Sequence, residues 1–533
     1  MFADSHFKYY NWFILTIIFL IFVADLELYK YWGFRLDITP ILYLKTPKEA
    51  AASVSVWVII SKLLLAGALI AGSGYAFKKI APLNFYKADK SILGFFVYVL
   101  IFLGLIIPIR GGLGIAPINV GSAYFSQKSF LNHAAINVLW NLGNSFANLN
   151  DGAQVYHYFE DVQCDNLIKP YLNTNDTSGS RFLNANQPNI VLIMLESFTA
   201  NVVEPLGGIS GITPNFNNLS KEGILFTNIY AAGDRSDKGL MAILSGYPAQ
   251  TTFSVIKDAA KTQSLPKFPY DLKLAGYNTT FYYGGDPDFA NMRSYLISAG
   301  FNKLITKENF PRSSYNSKWG AHDEVVFQKL LEDLKETKSP FFKMIFTLSS
   351  HEPFEVPGKT VIQGDDLTSK FLNSLHYTDK CLGDFIQHAK QQKWWNNTLI
   401  ILVADHGIRI PGNLKAHEAG KFHIPMLWIG GAISKDTIIT KTASQTDIAT
   451  TVLNQLGINS SKYLFSRNVF GERQQTDAFY IFNNGIGMVN DSMKLVYDFS
   501  LKSVLKKEGN ISDSLVNTSK AYIQRVYQDI QER

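Results

Sequence analysis

Two kinds of residue are scarce in this chain of 533 residues: cysteine and charged residues. The two cysteines, Cys164 and Cys381, lie far apart and match no metal-ligand spacing, so neither a disulfide framework nor a structural zinc site is expected. Charged residues make up 18% of the chain, whereas about 25% is typical of soluble proteins. Because 47% of the residues are hydrophobic, part of the chain is expected to lie in lipid.

The chain also lacks the long basic runs with interleaved aromatic residues that nucleic-acid-binding proteins carry. Its formal net charge of +6 is small for this length. Nucleic acid is therefore not a predicted partner, and weak attraction to anionic lipid headgroups is the more natural use of the positive charge.

Three apolar segments are long enough to cross a bilayer, which takes about 20 helical residues. They are roughly residues 10–24 with apolar flanks, 51–72 and 92–109. The first is followed by "DLELYKYWGFRLD" and not by a small-residue cleavage site, so it is predicted to be a retained span. Basic residues flank both sides almost equally, and charge alone leaves the orientation open. Residues 1–110 are predicted to form a transmembrane region of about three helices.

The rest of the chain divides by composition. Residues 111–187 are predicted to be a juxtamembrane connector and linker, residues 188–475 an α/β domain, and residues 476–533 its C-terminal extension. In the α/β domain short apolar runs alternate with amphipathic stretches; the runs are "NIVLIML", "FTNIYAA", "TTFYYGG", "FFKMIFTL", "TLIILVA" and "IPMLWIGG". Continuous runs of this kind are typical of buried strands in a mainly parallel sheet with flanking helices.

Polar residues follow five of these runs. Open α/β sheets bind ligands outside the carboxyl ends of their strands, so ligand-binding side chains are expected at these positions. A single acid at a strand end is usually a turn or helix cap, but five polar ends together favour a site. The residues are Glu196, Ser236, Asp286, His351, and the pair Asp405 and His406. Glu196, Asp405 and His406 offer oxygen and nitrogen ligands without thiolate, which suits Mn²⁺, Mg²⁺ or Zn²⁺.

Ser236 has two interpretations. It precedes the apolar-periodic stretch "DKGLMAILSG", so it is placed to be an ordinary helix N-cap. The same position favours catalysis, because a helix start directs free N–H groups at a bound anion such as phosphate. A metal ion on the hydroxyl oxygen would lower its pKa and make Ser236 a nucleophile near neutral pH.

Six motifs in this order resemble the lipoteichoic acid synthase-like phosphoglycerol transferases, a sulfatase-type branch of the alkaline phosphatase superfamily. They are "NIVLIMLESF", "GDRSDKGLMAILSGYP", "YYGGDPDFANMR", "TLSSHEPF", "ADHG" and "SQTDIATTVL", within about residues 189–471. The resemblance implies an alkaline phosphatase/sulfatase-like fold. It also implies manganese ligands at Glu196, Asp405 and His406, and a metal-bound nucleophile at Ser236. Headgroup contacts are implied at Asp286, Arg293 and His351, of which His351 is also a candidate proton donor.

The resemblance further implies a multi-pass membrane enzyme with a cytoplasmic N-terminus and its catalytic domain outside the cell membrane. Such an enzyme moves phosphoglycerol from a phospholipid to an acceptor hydroxyl on a glycan or lipid. It uses one divalent ion, Mn²⁺ by resemblance, with Zn²⁺ or Mg²⁺ as alternatives. Many relatives carry five spans, whereas this sequence shows three.

The sequence departs from the family at three positions. Serine replaces the usual threonine at Ser236, and the family's histidine and tryptophan appear here as Gly284 and Asn291. The last two changes leave the headgroup open, so a phosphoethanolamine transferase or a phosphodiesterase stays an alternative. "RSDKGL" lacks the proline and downstream arginine of a sulfatase signature, which disfavours a sulfatase.

Three further observations complete the prediction. His417 and His423 are candidates for a second metal ion. "WGAHDE", residues 319–324, resembles another family motif with a substrate-side or packing role. A catalytically silent binding module is disfavoured, because decay would be expected to break the intact set of Glu196, Ser236, Asp405 and His406.

Overall fold

A computed structural model of the chain describes residues 2–32, 35–36, 56–80, 91–114, 117–126, 128–147, 156–185, 187–251, 253–316, 318–472 and 475–533. The chain forms two compact units, Met1–Gln154 and Val155–Arg533, called here the N-terminal and C-terminal units.

The N-terminal unit is helical. Its helices are α1 (Phe2–Trp32), α2 (Val56–Ile80), α3 (Ile92–Gly104), α4 (Ile106–Arg110), α5 (Ser129–Ala135) and α6 (Val138–Ala147). Within the described residues, three stretches are long and apolar enough to cross a membrane: Tyr9–Lys30, Val56–Phe77 and Ile92–Arg110. They contain the predicted spans 10–24 and 92–109. They also contain 56–72 of the predicted span 51–72, whose first five residues lie outside the described part of the chain.

Two acidic side chains on α1 form ion pairs within the N-terminal unit. Asp25 is buried, with its Oδ2 2.8 Å from Nη1 of Arg35. Glu27 Oε2 lies 2.8 Å from Nζ of Lys62 on α2. Opposite charges paired in this way lower the cost of placing ionisable groups near lipid.

The C-terminal unit is built on one large sheet. Its strands are β1 (Asn189–Leu195), β2 (Ile224–Tyr230), β3 (Asn278–Tyr283), β4 (Lys303–Ile305), β5 (Phe341–Phe346), β6 (Thr398–Ala404), β7 (His423–Ile429), β8 (Thr437–Ile439) and β9 (Ala443–Ser444). They lie in the order β4-β3-β5-β1-β6-β7-β2-β8, and β9 pairs with β2. Every residue of β1, β5 and β6 is buried, as expected of central strands covered on both faces.

The strand directions confirm the mainly parallel sheet. β1 runs parallel to β5 and β6, β3 to β4 and β5, and β2 to β8 and β9. β7 runs antiparallel to both β6 and β2. Because β7 is reversed, its first residue, His423, lies at the edge of the sheet where the parallel strands end.

Helices connect and cover these strands, as predicted for an α/β fold. They are α7 (Asp161–Ile168), α8 (Pro214–Leu219), α9 (Ser236–Ser245), α10 (Ala259–Ser264), α11 (Phe268–Leu274), α12 (Met292–Ser298), α13 (Asp323–Glu336), α14 (Leu367–Ala389), α15 (Ala419–Phe422) and α16 (Ile448–Gln455). Both cysteines are buried, and neither forms a disulfide.

The last part of the chain forms a second sheet and a long helix. Strands β10 (Ala478–Phe482), β11 (Gly485–Val489), β12 (Lys494–Asp498) and β13 (Ser503–Glu508) pair in sequence order as an antiparallel sheet. Ile481 N donates to Ala232 O (2.9 Å), just beyond the end of β2. Helix α17 (Asp513–Glu532) carries Gln524, whose Oε1 accepts from Tyr158 N at 2.7 Å. Residues 476–533 therefore pack into the C-terminal unit.

Candidate metal centre and active site

The register of β1 and β6 brings two acids together. Leu195 and Ala404 are partners in the parallel ladder, and Asp405 N donates to Leu195 O at 3.1 Å. Glu196 and Asp405 are the next residues of their strands, so they leave the sheet side by side, and His406 follows. Each of these three residues offers one ligand atom, and the three atoms lie within 4.8 Å of one another.

Ser236 reaches the same place from the loop after β2. Helix α9 begins at Ser236, and the N-cap position belongs to Arg235. The hydroxyl of Ser236 therefore does not cap the helix; its Oγ lies 3.1 Å from Glu196 Oε2 and 3.5 Å from His406 Nε2. A Cβ atom at Gly239 would lie 2.2 Å from Asp405 O, so glycine is needed for α9 to approach the end of β6.

Burial leaves the two acids short of a counter-charge. Asp405 is fully buried; its Oδ1 accepts from the N–H groups of Ser197 and His406, both at 2.7 Å. Its Oδ2 has no hydrogen-bond partner among the described residues. Burial and then the charge of Asp405 raise the pKa of Glu196 well above its usual value. A cation between the two carboxylates would remove this cost.

The orientation of His406 fits the same cation. Its Nδ1 lies 3.0 Å from Gly407 O, and a carbonyl only accepts, so we assign the proton to Nδ1. Nε2 then presents a lone pair, 3.4 Å from Asp405 Oδ2 and 3.8 Å from Glu196 Oε1. Oxygen and nitrogen lone pairs that face one another around one point form a donor set suited to Mn²⁺, Zn²⁺ or Mg²⁺. The residues present therefore fit a divalent ion.

Backbone strain accompanies this geometry at Ser197. Its φ of +57° is uncommon for a residue with a side chain. This conformation directs Ser197 N to Asp405, while Ser197 Oγ donates to Glu196 Oε1 at 2.7 Å. Strain of this kind is typical of functional sites.

Lys238, two residues after Ser236, is already paired with an acid. Lys238 is buried, and its Nζ lies 3.2 Å from Asp234 Oδ1; Lys421 Nζ lies 3.5 Å from Asp234 Oδ2. Burial alone would raise the pKa of Asp234, but the two lysines bring it below its usual value. Lys238 therefore supports the loop through Asp234.

Asp286 lies on the loop after β3 and Arg293 in the first turn of α12, and both have partners of their own. Asp286 Oδ1 accepts from Asp288 N at 2.9 Å. Arg293 binds both carboxylate oxygens of Asp288, with Nε 2.7 Å from Oδ1 and Nη2 3.1 Å from Oδ2. The structure does not bring Asp286 or Arg293 into hydrogen-bond contact with the acid–histidine cluster. It adds Asp288, which was not predicted from the sequence although "DPDFANMR" contains it.

Gly284 explains one departure from the family. A Cβ atom at this position would lie 2.2 Å from Ala321 O, so no side chain fits without a backbone shift. The histidine that the family carries here has no room in this chain.

His351 lies after β5, and its ring Nδ1 is 3.1 Å from Glu352 O. Burial lowers the pKa of His351. No hydrogen bond joins His351 to Glu196, Ser236, Asp405 or His406 among the described residues.

The two histidines proposed for a second metal ion are not members of this ligand group. His423 Nε2 is 2.7 Å from Thr227 O, and the His417 carbonyl accepts from Tyr480 Oη at 2.9 Å. Within the described ranges, the group of ligating side chains contains Glu196, Asp405 and His406 and neither of these histidines.

Gln445 supports the centre and was not predicted from the sequence. Its Nε2 donates to Ala404 O at 2.8 Å and to Asp405 O at 2.7 Å. The available signal was its place in "SQTDIATTVL", which follows the short strand β9.

Comparison with known proteins agrees with this architecture. A family model described as Sulfatase matches residues 188–458, which are 271 of the 533 residues. The chain is 25% identical over 437 residues to lipoteichoic acid synthase 2 of Bacillus subtilis strain 168, covering 74% of this chain and 65% of that protein. It is 26% identical over 374 residues to the lipoteichoic acid synthase of Staphylococcus aureus strain USA300, covering 62% and 57%. The chain thus spans 57% to 65% of the length of these two relatives.

Solved structures show the same fold. An alkaline phosphatase superfamily protein from Vibrio parahaemolyticus superposes with a TM-score of 0.62 at 27% identity, covering 72% of this chain and 98% of that one. The lipoteichoic acid synthase LtaP from Listeria monocytogenes gives 0.58 at 20% identity, covering 69% and 98%. These likenesses confirm the predicted alkaline phosphatase/sulfatase-like fold. The chain belongs to the sulfatase family and is a lipoteichoic acid synthase-like member of the alkaline phosphatase superfamily.

Proposed function

We propose that this protein is a metal-dependent transferase that moves a phosphoglycerol group from a phospholipid to an acceptor hydroxyl on a glycan or lipid. One observation carries the proposal. The hydroxyl of Ser236, at the start of a buried helix, contacts Glu196 and His406. The buried carboxylate of Asp405 lies beside both, and the two acids lack a permanent counter-charge among the described residues. The relatives named lipoteichoic acid synthase support the substrate class.

Glu196, Ser236, Asp405 and His406 would hold one ion, Mn²⁺ by family likeness, with Zn²⁺ or Mg²⁺ as alternatives. When bound, the ion would lower the pKa of the Ser236 hydroxyl and offset negative charge on the phosphoryl oxygens. The N–H groups at the start of α9 would bind those oxygens as well.

In the first half of the reaction, Ser236 Oγ forms a bond to phosphorus after losing its proton to solvent. The bond from phosphorus to the diacylglycerol oxygen breaks, and His351 gives that oxygen a proton. The products are diacylglycerol and a phosphodiester on Ser236. In the second half, His351 takes the proton of the acceptor hydroxyl, whose oxygen then attacks phosphorus. The bond from phosphorus to Ser236 Oγ breaks, and Ser236 regains a proton from solvent.

The ion pair of Arg293 and Asp288 is proposed to select the headgroup, together with Asp286. Because Asp288 neutralises Arg293, the pair offers hydrogen-bond donors and acceptors with little net charge. Such a pair suits the uncharged hydroxyl groups of glycerol better than it suits a charged group such as another phosphate.

The proposed location follows from the same likeness. The three apolar stretches of the N-terminal unit would hold the enzyme at a lipid surface, as a multi-pass protein with its catalytic domain outside the cell membrane. We assign catalysis to residues 188–475 with residues 476–533 as an extension, after the transmembrane region at 1–110 and the connector at 111–187.

The test is to incubate the full chain and Mn²⁺ with phosphatidylglycerol labelled in its headgroup, without an acceptor. Mass spectrometry should find a glycerol phosphate adduct on Ser236, with one diacylglycerol released per adduct. Ser236→Ala should abolish both, whereas Ser236→Thr should keep them because it retains the hydroxyl. Ser210→Ala removes a surface hydroxyl that contacts Glu204 and serves as the control.

An unmodified Ser236 with no released diacylglycerol would disprove transfer from this lipid. A phosphoethanolamine adduct formed from phosphatidylethanolamine would assign a different headgroup, and release of free glycerol phosphate in water as the main product would indicate a phosphodiesterase.

A further inference from the structure

The motif "WGAHDE" lies against the segment that carries His351. Asp323 is buried at the start of α13, and its Oδ1 accepts from Leu348 N at 2.6 Å and Ser349 N at 3.2 Å. Its Oδ2 accepts from Thr378 Oγ1 at 2.6 Å, and its own N–H donates to Ser349 Oγ at 3.1 Å. One buried carboxylate thus fixes two successive residues just before His351.

Trp319 holds the same segment from the other side. Its Nε1 donates to Glu352 O at 2.7 Å, and its ring meets the His351 ring edge-on at 4.4 Å between centroids. Phe289 packs edge-on against Trp319 at 5.2 Å, and Lys318 Nζ lies 5.1 Å from its ring centroid. The Trp319 ring is therefore engaged as a support and is not an open platform for a ligand.

The shared carbonyl sets the protonation of His351. Glu352 O lies 3.1 Å from His351 Nδ1 and accepts from Trp319 as well. Since a carbonyl cannot donate, the proton of a neutral His351 belongs on Nδ1. Nε2, which has no hydrogen-bond partner among the described residues, is left with its lone pair free to exchange a proton.

The segment is also joined to the proposed metal centre. Thr347 Oγ1 accepts from Glu196 N at 2.8 Å, and Ser350 Oγ donates to Glu196 O at 2.6 Å. Beyond His351 the chain turns sharply, with Phe354 at φ +65° and its ring buried against Phe371. A bulky residue in this conformation persists only where its surroundings enforce it. Residues 347–354 are thus fixed at both ends.

We propose that Asp323 and Trp319 are positioning residues that hold His351 with Nδ1 protonated and Nε2 available for proton transfer to and from the substrate oxygens. The inference rests on the proposed function, because it gives His351 the proton-transfer role. Simple packing would not require a buried carboxylate that accepts two successive N–H groups of the His351 segment, nor an indole N–H on the carbonyl that His351 uses.

The decisive experiment uses two donors that differ in their need for a proton. The diacylglycerol oxygen of phosphatidylglycerol must be protonated as it leaves, whereas the nitrophenolate of a p-nitrophenyl ester of glycerol phosphate leaves without a proton. With the phospholipid, His351→Gln should slow formation of the Ser236 adduct by about 10²- to 10⁴-fold. Asp323→Ala and Trp319→Ala should slow it by about 10- to 100-fold. With the nitrophenyl ester, each loss should shrink to a few-fold.

Conservative variants and matched controls separate position from folding. Asp323→Asn and Trp319→Phe keep part of the contacts and should recover part of the phospholipid rate. Asp379→Asn changes another buried carboxylate that accepts backbone N–H groups, at Asn215 and Phe216, and should leave both rates unchanged. Trp394→Phe, a tryptophan remote from His351 in the sequence, should do the same.

A double-mutant cycle decides whether Trp319 acts through His351. If it does, His351→Gln combined with Trp319→Ala should be no slower than His351→Gln alone. The proposal would be overturned if the rate losses of His351→Gln and Trp319→Ala multiplied in the double variant. It would also be overturned if a variant lost the same factor in rate with the phospholipid and with the nitrophenyl ester.

Failure of the proposed function is recognised separately, because the wild-type chain would then form no adduct with either donor. The ¹⁵N shifts of the His351 ring still decide the positioning role in that case. They should report an Nδ1-protonated ring in the wild-type chain and in Asp379→Asn, but a mixture of tautomers in Trp319→Ala and Asp323→Ala. Unchanged shifts in the two alanine variants would contradict it.

Discussion

Asp25 in the N-terminal unit and Asp405 in the C-terminal unit are both buried, but they differ in the groups that surround their carboxylates. In the N-terminal unit, Asp25 has Arg35 at 2.8 Å and accepts from Leu36 N at 2.7 Å. In the C-terminal unit, Asp405 is as deeply buried, but it lies beside the carboxylate of Glu196, whose pKa its charge raises, and its Oδ2 accepts no hydrogen bond among the described residues. Its other neighbour, His406, carries no permanent charge.

The difference shows how a structural charge is told from a functional one. A buried carboxylate costs several kcal/mol unless it is neutralised. Asp25 is neutralised by a residue of the same chain, so it needs nothing from outside. Asp405 and Glu196 together need a cation that the described chain does not supply, and an incoming metal ion would supply it.

The largest expected effect comes from Asp405→Asn. The amide keeps the shape and the Oδ1 contacts but removes one charge, so metal-dependent activity should fall by about 10³-fold or more. Without metal, the variant should be as stable as the wild type or about 1 kcal/mol more stable, because the repulsion with Glu196 is relieved. Titration with Mn²⁺, followed by thermal unfolding of the full chain in detergent, measures both effects.

Mn²⁺ at about 100 times its dissociation constant should stabilise the wild-type chain by about 2.7 kcal/mol, and chelation should reverse this. Asp405→Asn should show no such gain. Equal stabilisation of the wild-type and Asp405→Asn chains by Mn²⁺ would mean that the ion binds elsewhere. Asp405 would then no longer differ from Asp25 in needing a metal ion.

A pair of leucine substitutions extends the comparison to apolar residues. Leu402 is fully buried in β6, whereas Leu103 of α3 is 51% exposed in the structure. Leu402→Ala should cost about 2–5 kcal/mol of unfolding free energy, because it removes transfer energy and leaves a cavity. Leu103→Ala should cost under about 1 kcal/mol, since its side chain loses few protein contacts. Denaturant unfolding in detergent measures both, and equal costs would mean that α3 is packed against protein.

Asp25→Asn removes the ion pair between Asp25 and Arg35 in the N-terminal unit. It leaves Arg35 without its partner and should cost about 2 kcal/mol, below the range for fully buried pairs because Arg35 is partly exposed. Adduct formation on Ser236 and the stabilisation by Mn²⁺ should stay at wild-type levels. An Asp25→Asn chain that loses its response to Mn²⁺ would show that the two acids are not independent. The double variant with Asp405→Asn should show additive effects on stability.

The smallest effect concerns pH and His133 in the N-terminal unit. Burial lowers the pKa of His133 to about 4, and the charge of Arg35 acts in the same direction. Since the folded pKa lies below the unfolded value of about 6.5, His133 contributes stability that is complete above pH ~6.5 and is lost as the pH falls towards 4. His133 contributes at most about 1.4 kcal/mol per pH unit to the change of the unfolding free energy with pH.

His133→Gln should remove that share when unfolding free energies are compared between neutral pH and pH ~4. A His133→Gln chain with the same dependence on pH as the wild type would show that His133 has no lowered pKa in the folded protein.

Much of the fold could be predicted from local sequence pattern. The runs "NIVLIML" and "TLIILVA" are strands β1 and β6 without a residue of error, because a strand buried on both faces must be apolar throughout. The second sheet, β10 to β13, was not predicted, and residues 476–533 were expected only to extend the domain. Strands β10 and β11, "AFYIF" and "GIGMV", are apolar and buried, but β12 and β13 carry charged residues and β13 is largely exposed, so the four strands share no uniform apolar pattern.

Other features depended on long-range pairing. The run "IPMLWIGG" predicts a strand but not its direction, and only the reversed β7 shows that His423 meets Thr227. Arg293 was expected to contact a headgroup; in the structure it forms an ion pair with Asp288. Ser236 had two interpretations, and the hydroxyl contacts with Glu196 and His406 decided against the N-cap.

The sequence by itself determined which elements form and which polar residues stand at their ends, because apolar periodicity and strand-terminal chemistry are local properties. The tertiary structure alone decided that Glu196 and Asp405 leave neighbouring strands side by side, that α9 returns over them through Gly239, and that Asp323 and Trp319 enclose the His351 segment. The physical reason is that strand order and register are set by packing and hydrogen bonding between segments up to about two hundred residues apart, which no local pattern records.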